Sequence, residues 1–480
     1  MRGKALSAHR WPPGMPLHPR LVLGLGCLFL LVLGAPRIVR QVRDCVMTPA
    51  DVHYMTDFAI LTRVVDNFSK TGVLYDTTGR DPYGPVTRSM LKYPPPHAAF
   101  IMAMISDARS DSLRWAEVRA QAVARGAKGP DLQRLKLRHM NERARPLFVA
   151  YLVSFVAAIV IVLTALAPGW ERGALILLAF LNWQPHWENM EGPGIETFLL
   201  MLMAASLALL KAGRSRLAGV ALGVAGALKV YPWGSAFLFL FCRKGWKVWA
   251  GMLAGTLLAF AVTSFVVPVR ISVEYFLRIL PRVGGASGVN DNLSAIGNFS
   301  RMAYKLRGER SPAAFDLNPL TLLERFPSSW PDVLTLVLWS ALSAFLLIRT
   351  LRGLKRTLPA RESQTDMLRL AMSICLIVLL MATVWSAYQT ILLVPLAVGI
   401  ALAPRLPNGK RIWGLLLLAT GAGAINIGDA SQWLVIITRS IIPLAIWMAC
   451  LRLLEAAGSA PCSRTPEDAA VSAARGPNRS

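Results

Sequence analysis

The sequence predicts an all-α polytopic membrane protein with about twelve transmembrane helices and surface helices in its external loops. Three observations predict it. Of 480 residues, 54% are hydrophobic and 16% charged, where a soluble domain carries about a quarter charged residues. Apolar runs at Leu147–Ala167, Val248–Val267, Val333–Ile348 and Ile412–Ile427 are long, or nearly long, enough to cross a hydrocarbon core of roughly 30 Å. The net charge of +25 lies mostly in short loops between apolar runs, the positive-inside pattern. A soluble globular protein is excluded. Topology and anionic membrane lipids account for the charge without nucleic acid as a partner.

Counting Lys and Arg in the short loops orients the chain. Residues 1–20 are a basic, cytoplasmic N-terminal segment, and the transmembrane domain runs over 21–452. Its first span is Leu21–Ile38. A signal peptide cut near Gly34-Ala35 is the alternative, and Pro36 directly after that point disfavours it. A first external loop covers 40–92. Within it Phe58, Ile60, Leu61, Val64, Val65 and Phe68 mostly share one helical face, so Asp57–Lys70 reads as a helix lying along the membrane, ended by Gly72.

Span 2 (Pro94–Ile105) opens on three prolines, and a basic cytoplasmic loop, helical in parts, fills 107–145. Span 3 is Leu147–Ala167. Gly173–Leu181 is too short to cross, and the polar, aromatic Asn182–Gly194 follows it. The pair reads as a re-entrant element facing a cavity. Span 4 is Ile195–Leu210. Spans 5 (Leu217–Leu228) and 6 (Pro232–Phe241) form a tight pair around Lys229-Val230-Tyr231, and span 7 is Val248–Val267. The second external loop covers 268–331. Span 8 is Val333–Ile348, and spans 9 (Leu370–Val384) and 10 (Ile391–Leu402) flank Trp385-Ser386-Ala387-Tyr388 outside. Spans 11 (Ile412–Ile427) and 12 (Trp433–Leu451) close the domain, with Arg439 interrupting the last. Residues 453–480 are expected to be a disordered cytoplasmic tail. The six cysteines contain no CxxC pair, so neither a disulfide framework nor a zinc site is indicated.

The acidic, aromatic and proline-rich features concentrate outside, which places the candidate chemistry there. Thr56-Asp57-Phe58, Gly72-Val73-Leu74-Tyr75 and Tyr93-Pro94-Pro95-Pro96 occur in that order. Downstream come Ala218-Gly219 with Gly223, then Lys229-Val230-Tyr231-Pro232, Asn292-Leu293-Ser294 ahead of Arg301, and Ser386-Ala387-Tyr388. In order and in spacing relative to the spans this resembles glycosyltransferase family 87, an integral-membrane family of the GT-C superfamily. The resemblance covers roughly residues 20 to 400. One departure is Ala387, which stands where the family often has a His before the Tyr.

The resemblance implies a GT-C-like fold and a transfer at the outer face of the membrane. The donor is a sugar on polyprenyl phosphate, with mannose the family-typical choice. The acceptor is a lipid or glycan hydroxyl. Asp57 would be the catalytic base of an inverting single displacement; read without the resemblance, it is a carboxylate complementing a helix dipole. The leaving lipid phosphate needs cations, and the candidates are Lys229, Lys92, Arg278 and Arg301. A snorkelling side chain is the other reading of Lys229, and headgroup contact that of the arginines. His97, Tyr93, Glu188, Glu191, Asn292 and Tyr388 are candidates for acceptor or cavity contacts; Glu188 and Glu191 read equally as caps of the re-entrant turn. Tryptophans such as Trp183 read by default as an interfacial belt. No Asp-x-Asp is present, which fits a lipid-monophosphate donor. No metal and no cofactor are expected.

A transporter or lipid-linked sugar flippase is the competing function. It would place ionisable or broken-helix features at mid-membrane in both halves, where this chain concentrates them at external span ends, with Arg439 the main exception. A structural subunit of an envelope assembly is the third reading. The expected setting is a bacterial plasma membrane with both termini cytoplasmic.

Overall fold

A computed structural model describes residues 94–104, 108–186, 195–242, 244–280, 293–312, 319–355, 362–381, 386–403, 409–425 and 432–459, with single positions 39, 68, 71, 72, 74 and 384. Among them every regular element is helical. The helices are α1 (Pro95–Met104), α2 (Ala108–Ala124), α3 (Gly129–Leu166), α4 (Trp170–Asn182), α5 (Glu196–Lys211), α6 (Ser215–Leu228), α7 (Gly245–Thr263), α8 (Val269–Glu274), α9 (Ala295–Leu306), α10 (Pro319–Glu324), α11 (Trp330–Lys355), α12 (Glu362–Leu380), α13 (Leu393–Leu402), α14 (Gly409–Ala424) and α15 (Gln432–Ser459). Among the described residues five helices are long and apolar enough to cross a membrane: α3, α7, α11, α12 and α15. The chain is therefore an all-helical membrane protein, while the count of twelve spans goes beyond these five.

Side-chain periodicity separates core from lipid face. On α3, Tyr151, Phe155, Ala158 and Val162 are buried, while Val149, Val153, Val156 and Val160 are exposed. Spacings of three and four place each set on one face. Only 22% of the apolar window in α11 is buried against 67% in α12, so α11 is peripheral and α12 central. All ten residues of α13 are buried, as expected of a helix apolar all round.

Several boundaries move from those expected. The basic loop 107–145 is helical over much of its length: α2 packs on α3, and α3 extends span 3 back to Gly129. Pro130 stands in its first turn with Asp131 beside it, a sequence start signal. The first residues of the tail expected over 453–480 are helical, because α15 continues to Ser459, and the rest lie outside the described residues. Arg349 of α11 pairs with Glu455 on that last stretch at 3.3 Å. Most of the helix expected at Asp57–Lys70 lies outside the described residues, but its end is visible. Phe68 is helical, Gly72 has φ 69°, and the Gly72 N–H donates to the Phe68 carbonyl at 2.8 Å, the left-handed closure for which glycine is suited.

Span 6 is also corrected. Tyr231–Phe241 is a 3₁₀ helix rather than an α-helix. At roughly 2.0 Å rise per residue its eleven residues extend about 22 Å. The fourteen residues of α6 extend about 21 Å at 1.5 Å each. The stretched return matches the outgoing helix, and α7 then runs parallel to α6. Close approach makes that pairing. A Cβ on Gly219 would sit 2.0 Å from the Val248 carbonyl oxygen, and one on Gly223 2.1 Å from that of Met252. Reciprocally, Cβ atoms on Gly251 and Gly255 would meet the carbonyls of Arg216 and Val220 at 1.9 and 2.3 Å. Two Gly-x-x-x-Gly faces therefore lock backbone to backbone.

Candidate functional site

The locked α6–α7 pair holds the turn that leaves α6, between the two helices in the chain. Pro232 cannot continue α6, so Lys229 leaves the helix in extended backbone (φ −153°, ψ 127°) while its N–H still donates to Ala225. The Trp233 indole N–H donates to Thr256 on α7 at 3.1 Å, and the Thr256 hydroxyl donates to the Gly223 carbonyl at 3.2 Å. Gly226 leaves space for that indole, since a Cβ there would lie 1.9 Å from it. The turn is thus held on both sides.

Into the interior this turn projects Lys229, whose side chain is 9% exposed. Its ammonium pairs with the carboxylate of Glu196, 1% exposed, in the first turn of α5. Snorkelling does not describe a lysine so placed. The Nζ also lies 3.8 Å from the Tyr388 ring centroid and 5.7 Å from that of Tyr231. The two rings stack with centroids 5.3 Å apart. A cation over aromatic faces is stabilised by the ring quadrupoles. Buried His97 on α1 is near enough for the Lys229 charge to act on it. The structure thus brings together Lys229, His97 and Tyr388 of the sequence candidates, and adds Glu196 and Tyr231.

Ser386-Ala387-Tyr388 is not a loop between spans but the start of a 3₁₀ helix, Ser386–Leu392, that runs into α13. A second polar layer begins one residue beyond Tyr388. Gln389 donates its side-chain N–H to the carbonyl of Arg439 at 2.9 Å and accepts the Trp183 indole N–H on its own carbonyl at 3.0 Å. Trp183 is fully buried, which corrects its reading as an interfacial belt residue. Arg439, the interruption in span 12, is buried on α15. Beside it Ser440 accepts from Asn298 at 3.1 Å.

Asn298 belongs to α9 in the second external loop, a helix capped by Ser294 Oγ, which accepts from Gly297 N at 3.1 Å. Arg301 donates to Asn298 Oδ1, and Leu293 N–H donates to Val384 at 2.7 Å. These bonds dock the loop onto the segment leading to Tyr388. Arg278 is exposed and lies 3.8 Å from Glu274 on its own helical stretch. His186 stacks on Phe155 with centroids 3.7 Å apart. Asp57, Lys92, Tyr93, Glu188, Glu191 and Asn292 lie outside the described residues.

Glu196 went unread because a glutamate in a helix's first turn is an ordinary dipole complement. Its signal was an ionisable residue at the head of an otherwise apolar span.

The model of glycosyltransferase family 87 matches residues 143–322. That is a little over a third of the chain, and it bears out the resemblance read from the sequence. The matched residues include one of the five helices apolar enough to span a bilayer whole, α7, and most of another, α3, so the similarity to a glycosyltransferase family lies within the membrane part of the chain. The family 87 match includes Glu196, Lys229, Tyr231 and Arg301, while Asp57, His97 and Tyr388 lie outside it. A solved structure of ArnT from Cupriavidus metallidurans bound to undecaprenyl phosphate is also similar, at 12% identity, covering 92% of this chain and 78% of that one with a TM-score of 0.39. Comparison with curated proteins finds no match.

Proposed function

We propose that the chain moves a sugar, mannose by preference, from polyprenyl phosphate to a lipid or glycan hydroxyl at the outer face of a bacterial plasma membrane, on a GT-C-like fold. The observation that carries this reading is a lysine held among membrane helices by Glu196 and two tyrosine rings. A buried cation in such a place is expensive unless it is used, and a lipid phosphate is the anion that reaches a membrane-embedded site.

In this reading Lys229 meets the donor phosphate. Tyr388 and Tyr231 wall the ammonium, and His97 lines the same space. Lys92, Arg278 and Arg301 are further donor cations. Tyr93, Glu188, Glu191 and Asn292 contact acceptor or cavity. Asp57 takes the proton of the acceptor hydroxyl as that oxygen bonds to the anomeric carbon. The bond from that carbon to the phosphate oxygen breaks, its electron pair leaves with polyprenyl phosphate, and configuration inverts. Lys229 opposes the charge that develops on the departing phosphate.

The test is transfer in nanodiscs, with labelled polyprenyl-phosphate sugars and a lipid extract of the source membrane. Wild type is expected to give a new labelled product, and Asp57→Asn to lose it by at least about a hundredfold, the scale of general-base removal. Equal transfer by both proteins would keep the enzyme and discard Asp57 as base. Failure of the wild type to bind any such lipid would move the reading to a transporter.

A further inference from the structure

Glu196 has no place in the transfer step, yet it is the group paired with the proposed phosphate cation. Resting on the donor reading above, we propose that Glu196 is a positioning residue that sets the charge preference of the site, favouring the donor over the departing polyprenyl phosphate. The donor is a phosphodiester with one negative charge. The product is a monoester with about −1.5 to −2 at pH 7. A site consisting of Lys229 alone would hold the product more tightly than the donor and stall on it.

Glu196 changes that balance. Its carboxylate is fixed in the first turn of α5, fully buried, against the ammonium that the lipid must approach. In a water-poor interior like charges at this range repel strongly, and the repulsion grows with the charge on the incoming phosphate. The same carboxylate neutralises Lys229 while the site is empty and fixes its direction against the Tyr388 face. Proximity of the pair is built by the fold, since the two residues are 33 apart in sequence and meet because α5 packs against α6.

The test measures binding of two lipids to full-length protein in nanodiscs: polyprenyl phosphate, and polyprenyl-phosphate mannose without acceptor. Glu196→Gln is expected to tighten polyprenyl phosphate by about tenfold more than the donor, equivalent to about 1.4 kcal/mol. Inhibition by added polyprenyl phosphate should strengthen by the same factor in turnover assays. Glu196→Asp, which keeps the charge, should stay near wild type in this ratio. Equal shifts for both lipids, or loss of both, would overturn the proposal. Wild type gives an independent reading if Glu196→Gln does not fold. It should hold polyprenyl phosphate no more tightly than the donor, and a tenfold preference for the product would sink the idea. Should wild type bind neither lipid, the donor reading itself fails and this proposal falls with it.

Discussion

Lys229 and Glu196 form a unit whose members are costly apart. Removing one partner of a buried ion pair leaves the other charge without compensation and costs about 3–5 kcal/mol, whereas replacing both with apolar groups of similar volume is often nearly neutral. Lys229→Met is therefore expected to lower stability in an SDS-unfolding titration by that amount, and Lys229→Met/Glu196→Leu to recover most of it while remaining inactive. A double variant no more stable than the single one would show that Glu196 is held by other groups. Tyr304 poses a similar question outside the membrane helices. Its hydroxyl donates to Asp332 at 2.9 Å, and burial followed by this bond pushes its pKa up to about 12. The unfolded tyrosine ionises near 10. The stabilising contribution is thus full below about pH 10 and is lost as pH rises through 12, because the unfolded chain releases the proton first. Wild-type stability should fall more steeply than that of Tyr304→Phe between those values, and parallel slopes would refute the assignment. At neutral pH, Tyr304→Phe should cost about 1–3 kcal/mol by leaving buried Asp332 without this donor.

Among the elements, the α6–α7 pair turns sequence pattern into site geometry. Its glycines leave no room: a Cβ at Gly223 would lie 2.1 Å from a backbone oxygen, which no rotamer change relieves. Gly223→Leu should separate the helices and displace the Lys229 turn, destabilising by at least the 1–3 kcal/mol typical of overpacking and abolishing donor binding. Gly414 and Gly421 on α14 supply the control, since a Cβ at either meets nothing within 4 Å. Gly414→Ala and Gly421→Ala should each stabilise by about 0.5–1 kcal/mol through helix propensity. If Gly223→Leu were tolerated like these, the close packing would be wrong. The long apolar helices were legible because twenty or so apolar residues have few other fates. The Lys229 turn was legible too, since Pro232 and the lysine announce it. What periodicity does not reveal is that Tyr231–Phe241 winds as 3₁₀. Length matching against α6 decides that, and it belongs to the packed pair rather than to either segment. Glu196 was hidden for the same reason, because its partner is set by how α5 meets α6.

Across the whole molecule, the orientation proposed from loop charge must agree with the direction of every helix. The parallel run of α6 and α7 is one such check. Two helices pointing the same way need an odd number of crossings between them, and the 3₁₀ return between Leu228 and Gly245 supplies one. The charge rule places the α2–α3 connection inside and the stretch after α9 outside. Exposed arginines mark both, Arg125 at the first turn and Arg310 after the second. In a variant whose six cysteines are replaced, Arg310→Cys should react with a membrane-impermeant maleimide in intact cells. Arg125→Cys should react only after permeabilisation. The reverse pattern would invert the protein and turn the Lys229 cluster toward the cytoplasm, where a polyprenyl-phosphate sugar would have to be used before it crossed the membrane. Labelling of both positions in intact cells would break the parity between them and remove a crossing from the proposed arrangement. The expected pattern would place the docked α9 loop, and with it the approach to Tyr388, on the outer side.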